Sequence, residues 1–167
     1  MNIFVLNENP RLAAQDMCDK HIPKMIVESA QMLASALLRH GAKPEEMPLT
    51  KKGTPYRGGY PHHPCTVWAG DTQENFDWLC EHAHALLIEY WTRFKKEHAC
   101  TIPIMQMNRM YEIIPEGDLT PFAQAMPDEY KCPDDAIFAY REYYKHKSTV
   151  MTVEWTRARK EPSWWTV

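Results

Sequence analysis

The chain has 167 residues, enough for one domain with a substantial core. Its 44% hydrophobic and 25% charged residues are those of an ordinary soluble globular protein, and no apolar run approaches the length of a membrane span. The formal net charge of -3 excludes a uniformly basic surface, so any contact with nucleic-acid phosphates must come from a local patch.

The start, Met1-Asn2-Ile3-Phe4-Val5-Leu6, has no basic region and no cleavage-site pattern, which excludes a signal peptide. Ile3 to Leu6 predict a strand or an extended buried start. Asn9-Pro10 is a helix-start signal, with Asn as N-cap and Pro at the first helical position. A first helix is expected from Pro10 to His40, with Gly41 as its stop and an apolar stripe of Leu12, Met17, Ile22, Ile26, Ala30, Leu33 and Leu37. Pro23 lacks an amide proton, so a kink or break is expected there. Residues Gly41 to Pro64 are too rich in Pro and Gly for regular structure and predict a long functional or mobile loop.

A second long helix follows, with Asp71-Thr72-Gln73-Glu74 as a capping box led by Asp71. Phe76, Leu79, Cys80, Ala83, Leu87, Tyr90, Trp91 and Phe94 give it a helical period, while His82 and His84 are read as surface residues. A short apolar helix is expected around Ile104 to Ile113, then an irregular Pro115 to Cys132. A last long helix is expected from near Pro133 to Arg157, with Asp134 and Asp135 in its first turn. The expected fold is mainly α: a single domain over residues 1–167, a bundle of three principal helices with long proline-rich loops. Five scattered cysteines, Cys18, Cys65, Cys80, Cys100 and Cys132, contain no Cys-x-x-Cys and suit reduced thiols in a cytoplasm.

Cys18 to Gln31 concentrates the chemistry. Cys18, His21 and Glu28 lie three and seven residues apart, so one helix would stack them along one side. A buried thiol, imidazole and carboxylate each cost free energy unless paired. The stripe therefore reads as the wall of an active site, or more blandly as a surface-edge helix with a satisfied histidine. The six tryptophans and eight tyrosines suit a packed core or stacking surfaces for bases.

Several short motifs resemble the pyrimidine-dimer DNA glycosylase/AP lyases of phages and bacteria. The apolar start Met1-Asn2-Ile3-Phe4 is similar to that family's N-terminus. Lys20-His21-Ile22-Pro23-Lys24 looks like its Arg-Glu-Leu-Pro-Arg stretch, and Tyr60-Pro61-His62-His63-Pro64 resembles its Tyr-x-x-His-Pro element. Pro162-Ser163-Trp164-Trp165 resembles its Pro-Thr-Trp-Tyr tail. The chain also looks like phage-encoded sequences that share Cys18-Asp19-Lys20-His21, which would put the protein in a host cytoplasm.

The resemblance implies a small helical enzyme without a cofactor, acting on DNA or a nucleotide through an N-terminal α-amine. Asn2 is large enough for Met1 to be kept, so Met1 would carry the nucleophile, and the family's catalytic glutamate falls on His21. An α-amine ordinarily titrates near 7.7–8.0 and can attack a sugar C1′ to form a Schiff base. His21 would shuttle protons and Glu28 would orient it or stabilise a cationic sugar. Lys20 and Lys24 would bind phosphate, with His63, Trp164 and Trp165 as further substrate contacts and the tryptophans stacking on a base. Three alternatives stay open: the same fold modifying a nucleobase or nucleotide, a non-catalytic binding module, and a zinc-stabilised protein using Cys18, His21, His62 and Cys65.

Overall fold

The computed structural model describes residues 1–166. It is mainly α, with six helices and no strand among the described residues. In order they are α1 (Pro10–Asp16), α2 (His21–Arg39), α3 (Pro64–Ala69), α4 (Gln73–Phe94), α5 (Thr101–Asn108) and α6 (Ala136–Lys147). None is long and apolar enough to cross a membrane. α4 is the hub: it packs most extensively against α1 and α2 and also touches α3 and α5. Side chains such as Leu33, Leu37, Phe76 and Leu79 meet there fully buried, each stabilising the fold by roughly 1.5–3 kcal/mol.

The expected helix from Pro10 to His40 is two helices. α1 begins as predicted, with the Asn9 side chain accepting from the amides of Arg11 and Leu12. It ends at Asp16, and α2 starts at His21. Pro23 neither kinks nor breaks the helix; it lies in the first turn of α2, where a missing amide proton leaves no bond unmade. The break is instead held from a distance. The Arg93 guanidinium donates to the carbonyls of Gln15 and Met17, groups that a continuing helix would have satisfied. Because the break shifts the helical phase, Leu12 leaves the apolar stripe and is exposed. Gly41 does stop α2, at φ +94.

Thr72, not Asp71, caps α4: its hydroxyl accepts from the Asn75 amide at 3.1 Å, and Asp71 pairs with Arg39. Trp91 faces outward, and His82, expected at the surface, is buried between α1 and α4. Its Nδ1 donates to the Pro10 carbonyl, and its ring stacks on Trp78. Burial lowers its pKa to about 4. α3 is an unexpected helix after the loop, which itself contains a 3-10 turn at Pro44–Glu46 and an isolated bridge between Leu49 and Pro55. The short apolar helix is displaced toward the N-terminus as α5, followed by a separate 3-10 turn at Tyr111–Ile113. α6 is shorter than predicted. The Ser148 and Thr149 hydroxyls donate to the carbonyls of Lys145 and His146, a local alternative to the helical ladder. All five cysteines are free.

Candidate active site

The extended start of the chain is buried from Asn2 to Leu6, as an extended segment rather than a strand. Asn2 fixes its path. Its side-chain oxygen accepts from the amides of Ile3 and Phe4, and its amide group donates to the Ala125 carbonyl. Phe4 takes φ +44, an uncommon angle for a bulky residue, and this turns its ring over His21. The amino end is thereby delivered to α2. The Met1 amine lies 3.7 Å from Glu28 Oε2, and the same oxygen accepts from the Asn2 backbone N–H at 2.7 Å. Lys24, one turn earlier, lies 3.7 Å from Glu28 Oε1.

Glu28, Gln31 and Ser35 follow at i, i+3 and i+7, so they form one row on α2. A loop docks on this row. Gly59 donates its amide to Ser35 Oγ at 2.8 Å, and the hydroxyl donates back to the Gly59 carbonyl. Gly58, at φ +71, lies so close to Ser35 that a Cβ there would meet its Oγ at 2.2 Å. The docked loop carries His63 to the head of the chain. Burial is the main cause of a lowered His63 pKa, the positive charge of the amino terminus adds to it, and Glu28 opposes it. His63 also caps α3, its Nδ1 accepting from the Cys65 amide. That bond sets the neutral tautomer, leaving the proton on Nε2.

His21 occupies a different setting. Its ring stacks on Phe4 at 4.9 Å, meets Tyr144 edge-on, and places Nδ1 2.7 Å from the Tyr144 hydroxyl. Burial, reinforced by Lys24, Lys147 and Lys20, drives its pKa to about 4. It is therefore neutral at pH 7. Lys20 and Lys24 themselves are exposed, so this face is locally basic on a chain of net negative charge.

The tail folds back on the break between α1 and α2. The Trp155 and Trp164 indoles donate to the backbone and side chain of Asp16, and Thr156 donates twice to Asp19. Arg159 pairs with Glu89, which also holds Arg93. Trp164 and Trp165 are half-buried and pack edge-on against Tyr144 and each other.

The structure thus brings Met1 and Lys24 to Glu28, puts His63 where the amine and Glu28 act on its pKa, and holds His21 between Phe4 and Tyr144, the latter also packed against Trp164 and Trp165. Cys18 does not share a helical face with His21, because it precedes α2. Sequence reasoning missed Asn2, Tyr144 and the Gly58-Gly59 docking; the paired glycines before the motif were the one local signal. The four residues of the zinc alternative are not grouped in the structure. Among the described residues no three or more His, Cys, Asp or Glu side chains are grouped to hold a metal. Cys18 lies beside Tyr144, Cys65 lies beside Tyr140, and His62 is exposed.

A family model described as pyrimidine dimer DNA glycosylase matches residues 1–102. No curated protein and no solved structure matches the chain. The matched region contains the amino end, all of α2 and the docked loop, and it spans more than half of the 167 residues: the chain belongs to the pyrimidine dimer DNA glycosylase family.

Proposed function

We propose that the protein is a DNA glycosylase/lyase that works through its N-terminal amine and Glu28 on a damaged or modified base. The observation that carries this reading is the meeting of the Met1 amine with Glu28 Oε2 at 3.7 Å. The neutral amine attacks the sugar C1′. The glycosidic bond breaks, its electron pair leaves with the base, and the base takes up a proton. The C1′–O4′ bond then breaks, its electron pair stays on O4′, the amine's remaining proton passes to that oxygen, and the nitrogen lone pair closes the C=N bond of a Schiff base. Glu28 accepts protons from the amine and faces the positive charge that develops at C1′.

Lys20 and Lys24 bind phosphates beside the site, and the Nε2 proton of His63 is available to the substrate. His21 is better supported as a positioning residue than as a proton shuttle. Its Nδ1 is held by Tyr144, its ring supports Phe4, and a pKa near 4 keeps it uncharged. If Met1 is trimmed, the Asn2 nitrogen, already 2.7 Å from Glu28, inherits the role. The reading takes residues 1–167 as one functional unit, since α6 supplies Tyr140 and Tyr144 to the matched region.

Borohydride trapping tests the reading. Wild-type protein should form a covalent adduct with abasic or dimer-bearing oligonucleotides. Glu28→Gln should reduce its rate by about 100-fold or more, the scale of a lost acid–base group. One residue added ahead of Met1 should reduce it similarly. Unchanged trapping with a blocked amino end sinks the proposal. A second reading, the same groups acting on a free nucleotide, draws on the net charge of -3; turnover of mononucleotides without DNA would select it.

A further inference from the structure

The amine, Glu28 and the lysines supply a nucleophile and phosphate contacts, but none of them offers a face to a nucleobase. Tyr60 does. It is 67% exposed and takes φ +50, in the left-handed region that bulky side chains rarely adopt. Single exposed aromatics are ordinary on protein surfaces. A strained one on an anchored loop is not, because the backbone cost persists only where its surroundings impose it. Here the surroundings are explicit. Gly58 and Gly59 are clamped on Ser35 and Gln31, and the His63 amide closes a turn on the Tyr60 carbonyl at 3.0 Å. The same turn brings His63 under the influence of the Met1 amine and Glu28. Trp164 and Trp165 are half-buried, with the Trp164 indole N–H committed to Asp16 and Arg141 over its ring.

We propose that Tyr60 is the residue on which the displaced nucleobase stacks, so that it sets specificity for base-bearing sites over abasic ones. This rests on the amine–Glu28 reading of the site. A base leaving the duplex loses its neighbours' faces, and the exposed Tyr60 ring, on a loop seated against Gln31 one helical turn from Glu28, replaces one of them. The docked loop holds the Tyr60 backbone in advance, so less chain order is lost on binding.

The test compares affinities for two fluorescent duplexes, one with a single cyclobutane thymine dimer and one with a tetrahydrofuran abasic site in the same place. Tyr60→Ala should weaken binding of the dimer duplex by about 10- to 100-fold, the scale of one lost stacking contact. Affinity for the abasic duplex should change by less than about twofold, since it has no base at the lesion position to stack. Tyr60→Phe should behave like wild type. Tyr60→Gly, which relieves the backbone angle, should lose dimer affinity as Ala does, with a Tm equal to or above that of wild type. Equal losses on both duplexes, no loss on either, no wild-type binding to the dimer, or a lowered Tm for Tyr60→Gly overturns the proposal. Borohydride trapping on natural abasic DNA is read in parallel. No wild-type adduct there rejects the amine as nucleophile, while the affinity comparison still decides the role of Tyr60.

Discussion

His21 and His82 are both carried neutral by the fold, and that has a pH signature. Each titrates near 4 in the native protein against 6.5 for an ordinary imidazole, chiefly because burial disfavours the charged ring. Between these values the unfolded chain binds more protons than the folded one, so stability falls as pH drops from 6.5 to 4. Above 6.5 neither state is protonated at these rings and no penalty remains. Each histidine contributes a loss on the order of 3 kcal/mol across that window. Urea unfolding at a series of pH values should show the decline. His82→Gln, which keeps a donor for the Pro10 carbonyl, should shrink it by a comparable amount while leaving DNA trapping intact. Phe4 extends the same logic to the backbone. Its φ of +44 costs on the order of 1–2 kcal/mol, offset by ring contacts with His21, Tyr140, Tyr143 and Tyr144.

At the scale of elements, α2 is a rail. Lys24, Glu28, Gln31 and Ser35 run along it, and the loop before α3 is seated on its later half. Gly58→Ala places a methyl group 2.2 Å from Ser35 Oγ and 2.8 Å from its backbone nitrogen, at a φ that alanine resists. It should lower stability by about 1–3 kcal/mol and unseat Tyr60 and His63 together, so that dimer affinity and Tm fall in parallel. Arg93 is the corresponding fixture for the front of α2. Arg93→Ala leaves Asp19 and Glu89 buried without their common cation and should cost about 3–5 kcal/mol in denaturant titration.

These two elements also mark what could be read from the residues. The start of α1 at Asn9-Pro10, the stop at Gly41 and the body of α4 were legible because caps and periodicity are local. The division between α1 and α2 was not, because its cause is an arginine on another helix. Met1, Glu28, Lys24 and His63 could be named from the sequence as candidates, and the structure places Met1 and Lys24 by Glu28. The burial of His21 could not be read there, since it depends on Tyr144 from α6 and on an uncommon angle at Phe4.

Across the whole molecule, charge is the informative quantity. On a net -3 chain, phosphate contacts need a local group of cations, and Lys20, Lys24 and Lys147, which act on His21, are such a group. Lys20→Ala and Lys24→Ala should each weaken DNA binding whatever its sequence and reduce the log–log salt slope by about 1. Affinities measured across a salt series check this. An unchanged slope would move the phosphate path elsewhere.

The seam between α1 and α2 also bears on how the chain is made. Asp16 waits for Trp155 and Trp164, Asp19 for Thr156, and Glu89 for Arg159. Each early partner is synthesised well before the late one that completes it. The corner between α1 and α2, which Arg93 can hold earlier, therefore gains its last partners only once the segment around Trp164 has been translated. A nascent chain halted before Trp155 would carry every group of the amine site with that corner still lacking them.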